Sequence, residues 1–210
     1  MWVTVVRAFL TGILLALCGL SLALQQQPEL QFALQSNLMI LFVTLPFQSL
    51  LEEILFRSFL LKNILLPVLK NQWAALIFTA ALFSAAHFLN YRLAESQALW
   101  PRTLLTLFFL GFAGNVLFVL NGHLGGSWGL HVGWNLVRFA LSFSASSLPV
   151  SEAASFNVLE GSWGCVVLSF VLAALAFVAL AKKIPASEFE FFSSAVSSKT
   201  DQPPDDKAMR

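Results

Sequence analysis

The chain has 210 residues, 58% of them hydrophobic and 11% charged, with a formal net charge of +1. An ordinary soluble domain is about 25% charged. This composition, with a mean hydropathy of +0.77, excludes a soluble globular protein and implies an integral membrane one. The near-neutral balance, with no basic cluster, excludes a nucleic-acid binder.

Apolar runs near the ~20 residues that a bilayer requires predict an all-α fold: a polytopic transmembrane helix bundle of about six spans. The first span, 3–24, follows the pattern of a signal sequence in part, with Arg7 near its start and Ser21-Leu22-Ala23 near its end. Its apolar stretch exceeds the ~7–15 residues of a signal core, so an uncleaved helix is expected. A polar loop around Pro28 occupies 25–35. The second span, 37–61, carries Glu52, Glu53 and Arg57; the third, 73–88, ends on His87. The fourth is 104–120. The fifth, 128–143, holds His131, Asn135 and Arg138, and the sixth is 164–181. No internal repeat is evident. Residues 1–185 read as one transmembrane domain with its motifs within 50–140, and 186–210 as a flexible polar tail rich in Ser, Asp, Pro and Lys. Cys18 and Cys165 form no CxxC and no zinc-type spacing, so both are expected to be buried free thiols.

With Arg7 in the cytoplasm, Lys62, Lys70, Lys182 and Lys183 also fall inside. The loops bearing Glu29 and bearing Glu152 and Glu160 fall outside. Arg92 and Arg102 are exceptions. The positive-inside rule therefore predicts both termini in the cytoplasm.

Three polar patches interrupt the apolar spans. A charge in hydrocarbon costs roughly 2.5–3.5 kcal/mol on insertion scales, so Glu52, Glu53 and Arg57 are functional candidates. On a helix Glu53 and Arg57 share a face, whereas Glu52 points about 100° away. One carboxylate is then neutralised by its own arginine, and the other is left for proton transfer. In the second patch, Phe83 and His87 share a helical face. In the third, His131 and Asn135 do so, while Gly125, Gly129 and Gly133 repeat on another face that suits close helix packing in lipid. His and Asn donors aimed into a cavity would suit a developing oxyanion, and a Glu with a His would suit deprotonation of water. His123 reads as a loop residue and Asn115 as a helix-packing amide. Arg138, seven after His131, shares its face roughly and reads as a structural counter-charge.

Read in order, Glu52-Glu53-Ile54-Leu55-Phe56-Arg57, Phe83 to His87 and His131 to Asn135 resemble the motifs of the CPBP family. These are the CAAX-protease and bacteriocin-processing membrane proteins, also called Abi. Ser58 stands where members often have Gly, a packing position. The resemblance implies a glutamate-dependent intramembrane endopeptidase acting on a membrane-associated protein or peptide. Eukaryotic relatives remove the last three residues of prenylated CAAX proteins, and bacterial ones are linked to bacteriocin maturation or self-immunity. By this resemblance Glu52 and His87 activate the water, and Glu53 and Arg57 support and orient the site. His131 and Asn135 stabilise the oxyanion or position the scissile carbonyl. A bacterial cytoplasmic membrane is the implied location.

No cofactor is expected. Glu52, His87 and His131 would also make a zinc set with an open fourth position, but no HExxH is present and Arg57 repels a dication. The competing readings are a proton- or ion-coupled transporter, since intramembrane Glu and His form relays, and a non-catalytic immunity or scaffold protein on the same fold. Heights pose a difficulty for catalysis. At ~1.5 Å per residue, these span limits put Glu52 and His131 within about 15 Å of the cytoplasmic boundary and His87 about 20 Å deep. Convergence requires 62–71 to dip into the membrane, the third helix to tilt, or different span limits. Pro46 and Pro67 permit kinks.

Overall fold

The computed structural model describes residues 1–26, 30–34, 38–91, 100–145 and 161–183. The proposed tail and the loop residues Glu29, Arg92, Glu152 and Glu160 lie outside them. The described chain is an α-helical bundle, as its composition predicts. Its helices are α1 (Trp2–Gln26), α2 (Leu38–Glu53), α3 (Leu66–Leu69), α4 (Gln72–Tyr91), α5 (Trp100–Asn121), α6 (Gly125–Ala140) and α7 (Trp163–Lys183). Two five-residue strands, β1 (Leu30–Leu34) and β2 (Leu141–Ala145), pair antiparallel with Leu30 opposite Ala145. β1 falls in the expected polar loop, and β2 replaces the end of the expected fifth span.

Helices dominate because lipid offers no partner for backbone N–H and C=O groups, so each segment must satisfy its own. Trp2–Gln25, Pro101–Asn121 and Trp163–Lys183 are long and apolar enough to cross a membrane, and Gln72–His87 is a shorter apolar helix. The outward faces of α1, α2 and α7 present Leu10, Leu14, Phe42, Phe47, Phe170 and Leu175, all exposed. In a bilayer these side chains would meet lipid.

The second span differs most from expectation. α2 does not end near Leu61. It passes into a twelve-residue π-helical stretch, Ile54–Leu65, and then into α3. The wider π turn keeps Arg57, Leu61 and Leu65, spaced by four, buried together. Lys70 closes the run in the left-handed region, φ 50°, and donates its N–H to Leu66 O at 3.2 Å. Asn71 Oδ1 then accepts Ala74 N–H at 3.0 Å and starts α4. The reversal thus sits at Lys70, and Glu52 and His87 stand about equally far along the chain on either side of it. This eases the height difficulty, because the second helical run continues past its expected end at Leu61 to Leu69.

α6 lies at the centre, against α1, α2 and α5, while α5 also packs on α4 and α7. The glycine face of α6 meets α1. A Cβ on Gly133 would come within 2.2 Å of Phe9 O, and one on Gly129 within 2.5 Å of Val5 O. From α1, a Cβ on Gly12 would come within 2.4 Å of Leu130 O. Backbone meets backbone here, and the opposite side of α6 is left to carry the polar residues. One expectation is corrected: Cys165 is buried, but Cys18 is exposed on α1, because it lies on the outer side of that helix.

Candidate active site

The three patches come from α2 with the π-helical stretch that follows it, from α4 and from α6, and they meet. Glu53, the last residue of α2, is fully buried. Its Oε1 lies 3.1 Å from Arg57 Nη1 and 3.0 Å from His131 Nδ1. Arg57 is itself buried and extends Nη2 toward Gly111 O on α5 at 3.4 Å. Its guanidinium also lies 4.7 Å from the centre of the Phe83 ring. Gly114 makes room for it, since a Cβ there would stand 2.8 Å from Nη2. Glu53, Arg57 and His131 therefore form a buried chain of charge-assisted contacts linking the second span to α5 and α6.

Glu52 points elsewhere, as the helical phase predicts. Its side chain is 22% exposed, and Oε1 accepts from Gln48 Nε2 at 3.3 Å. Oε2 stands 3.6 Å from His87 Nε2 and 3.6 Å from His131 Nε2, and makes no hydrogen bond among the described residues. His87 Nδ1 lies 2.8 Å from Phe83 O. A carbonyl only accepts, so the Nδ1 proton points at it and Nε2 of the neutral ring carries a lone pair. His131 Nδ1, facing the Glu53 carboxylate, is fixed in the same way. Two imidazole lone pairs and one carboxylate oxygen thus face each other across gaps too wide for direct hydrogen bonds. Such a triangle suits a small proton donor such as water.

Phe83 is the platform for this arrangement. Its ring centre is 4.5 Å from that of His87, 5.8 Å from that of His131 and 5.2 Å from that of Phe56. Asn135, buried, reaches Ser49 Oγ through Nδ2 at 3.4 Å, and Trp128 Nε1 donates to Pro46 O at 3.0 Å. These two contacts fasten α6 to α2. Glu53, Arg57, His87, His131, Asn135 and Arg138 all line one cavity. All the site residues expected from the sequence, Glu52, Glu53, Arg57, His87, His131 and Asn135, are therefore brought together. His123 stays in the α5–α6 turn, where Nδ1 accepts Gly125 N–H at 3.1 Å. Asn115 donates to Leu76 O at 2.9 Å, a helix-packing amide.

Sequence reasoning missed Gln48, Ser49, Gly111 and Gly114. The first two carried a usable signal: each is a polar residue in an apolar span, four before one of the glutamates. Among the described residues there is no group of three or more His, Cys, Asp or Glu that could hold a metal ion.

Residues 34–137, which include all three motifs, match the family described as type II CAAX prenyl endopeptidase Rce1-like. Over that segment, just under half of its length, the chain is similar to this family. The Rce1-like match agrees with the CPBP resemblance of the motifs, and together with the apolar helices it points to a membrane-embedded protease. No curated protein and no solved structure matches the chain.

Proposed function

We propose that this protein is a glutamate-type intramembrane endopeptidase that hydrolyses a peptide bond of a membrane-associated substrate, with Glu52 as general base. The observation that carries the reading is the position of Glu52 Oε2, 3.6 Å from Nε2 of both His87 and His131, while both Nδ1 atoms are engaged elsewhere. A water seated between these three acceptors has both protons directed at protein atoms and its own lone pair free to attack. Glu52 takes one proton as the oxygen adds to the scissile carbonyl, and returns it to the leaving amine as the tetrahedral intermediate collapses.

His131 has a second task. With the Glu53 carboxylate at its Nδ1, it can hold the proton that Glu52 takes from the water: Nε2, 3.6 Å from Glu52 Oε2, donates it toward the carbonyl oxygen as negative charge grows there, and gives it back to Glu52 before the amine leaves. Asn135 Nδ2 has two N–H groups. One reaches Ser49, and the other is available to the cavity that Asn135 lines. Glu53 and Arg57 do no proton transfer in this scheme; they hold His131 and the start of the π-helical stretch in place. The reaction requires no metal. The family description makes a prenylated CAAX-type protein the first substrate to test, and a bacterial cytoplasmic membrane with both termini inside is the location that the charge pattern and the motifs favour.

The test compares new peptide termini in membranes that contain equal amounts of wild type or Glu52→Ala, with and without chelator. Termini that vanish in the variant and persist with chelator support the reading. Termini lost on chelation would replace it with a zinc mechanism through Glu52, His87 and His131. Proton flux in proteoliposomes without proteolysis would favour the transporter.

A further inference from the structure

Glu52 carries the proton transfer proposed above, yet it stands at the edge of the site. Its side chain is 22% exposed, and its Oε2 makes no hydrogen bond among the described residues. Its Oε1 accepts from Gln48 Nε2 at 3.3 Å. We propose that Gln48 is a positioning residue for the hydrolytic step: its amide anchors Oε1, so that Oε2 stays turned toward His87 and His131. The inference rests on the peptidase reading above.

The outermost torsion of a glutamate is broad rather than confined to sharp wells. On α2, Ser49 and Glu53 are buried while Gln48 and Leu51 are exposed, and Glu52 lies between the two sides. Its carboxylate therefore has room to swing outward. Both 3.6 Å gaps from Oε2 depend on the orientation of that carboxylate. An outward turn loses both imidazoles and the water between them together. Gln48 comes one helical turn before Glu52, on the exposed side. From there its amide holds one oxygen at the edge and leaves the other facing inward.

Other tasks account for Gln48 less well. A Gln–Glu pair at this spacing adds only a little to the stability of an isolated helix, and a helix in lipid already satisfies its own backbone. Gln48 stands near the exposed apolar side chains Val43, Phe47 and Leu51. An amide in apolar surroundings costs free energy unless it is hydrogen-bonded, so an apolar residue would serve the span better. The bond that Gln48 does make ends on an ionisable carboxylate, and a donor to an ionised acceptor is stronger than a neutral pair. Its length and exposure keep the effect modest.

The test uses a fluorogenic peptide bearing a farnesylated cysteine followed by three apolar residues, assayed in proteoliposomes. Wild type, Gln48→Met and Gln48→Lys are compared, with Glu52→Gln as the inactive control. Methionine keeps the length and removes the donor, whereas lysine changes the head and restores a donor. Gln48→Met should lower kcat about 5–20-fold at unchanged KM and melting temperature, the range of one modest hydrogen bond to a charged group. Gln48→Lys should recover part of that loss. Wild-type kcat in Gln48→Met overturns the inference, as does an equal loss in both variants or one that follows the melting temperature, which means a structural role. A loss carried by KM means that Gln48 meets the substrate, and overturns it as well. Infrared difference spectra, each protein minus its Glu52→Gln counterpart, read the Glu52 carboxylate without turnover. Its band should shift in Gln48→Met and move back in Gln48→Lys. An unshifted band overturns the inference whatever the activity. If wild type leaves the peptide uncut while the band shifts as expected, Gln48 still anchors Glu52, and it is the peptidase reading that fails on this probe.

Discussion

Glu52 and Glu53 are neighbours in the chain and occupy opposite kinds of surroundings. Glu53 is sealed, touching Arg57 and the Nδ1 edge of His131. Glu52 is partly open, held at one oxygen by Gln48, and turns the other toward two imidazole Nε2 atoms. One residue of helical rotation separates a carboxylate that builds the site from one able to react in it. Neutralising each in turn should therefore give different failures.

The largest effect on activity belongs to Glu52. Glu52→Gln keeps the shape and removes the base, so turnover should fall about 10²–10⁴-fold while the melting temperature in detergent stays near wild type. A variant that unfolds instead would place Glu52 in the architecture with Glu53 and erase the contrast. For Glu53→Gln the order reverses. Arg57 is left buried without its counter-charge, and breaking such a pair costs about 3–5 kcal/mol. Thermal unfolding should reveal this as lost folded protein. The Glu53→Leu/Arg57→Met double variant should recover stability and remain inactive, because His131 loses the carboxylate that fixes its Nδ1.

Gly114→Ala sharpens the comparison from outside the pair. The new methyl meets Arg57 Nη2, which must move off its contact with Gly111 O. Arg57 is held to Glu53, so the disturbance reaches the sealed carboxylate and leaves Glu52 alone. Overpacking costs about 1–3 kcal/mol. A lower melting temperature with a smaller drop in kcat than in Glu52→Gln is expected, and a kcat loss at unchanged stability would argue against it.

Much of this was legible in the sequence. Spacing alone paired Glu53 with Arg57 and turned Glu52 away, and it separated the glycine side of α6 from its polar side. The apolar spans announced the bundle. The π-helical stretch after Glu53 was not legible, since no Gly or Pro marks it. It extends the second helical run to Leu69, and this sets Glu52 level with His87. Gly111 and Gly114 were hidden for another reason. A glycine in a membrane helix shows that something comes close, but not that the visitor is the Phe83 ring at Gly111 and the Arg57 guanidinium at Gly114. Cys18 was misplaced because an apolar run does not say which side of a lipid-bathed helix faces inward.

The smallest effect concerns Ser49, and it tests whether Asn135 works directly. The Asn135 Nδ2 to Ser49 Oγ contact is long, 3.4 Å, and neutral at both ends. Losing it in Ser49→Ala should cost at most about 1 kcal/mol, or roughly a fivefold fall in kcat. If Asn135 donates to the oxyanion, Asn135→Ala should cost about 10²–10³-fold, the range for one lost donor. Ser49 then only aims an amide that acts without it. Equal losses in the two variants, at equal stability, would mean that Asn135 matters through its link to α2, and the oxyanion would rest on His131 and, through it, on the sealed Glu53.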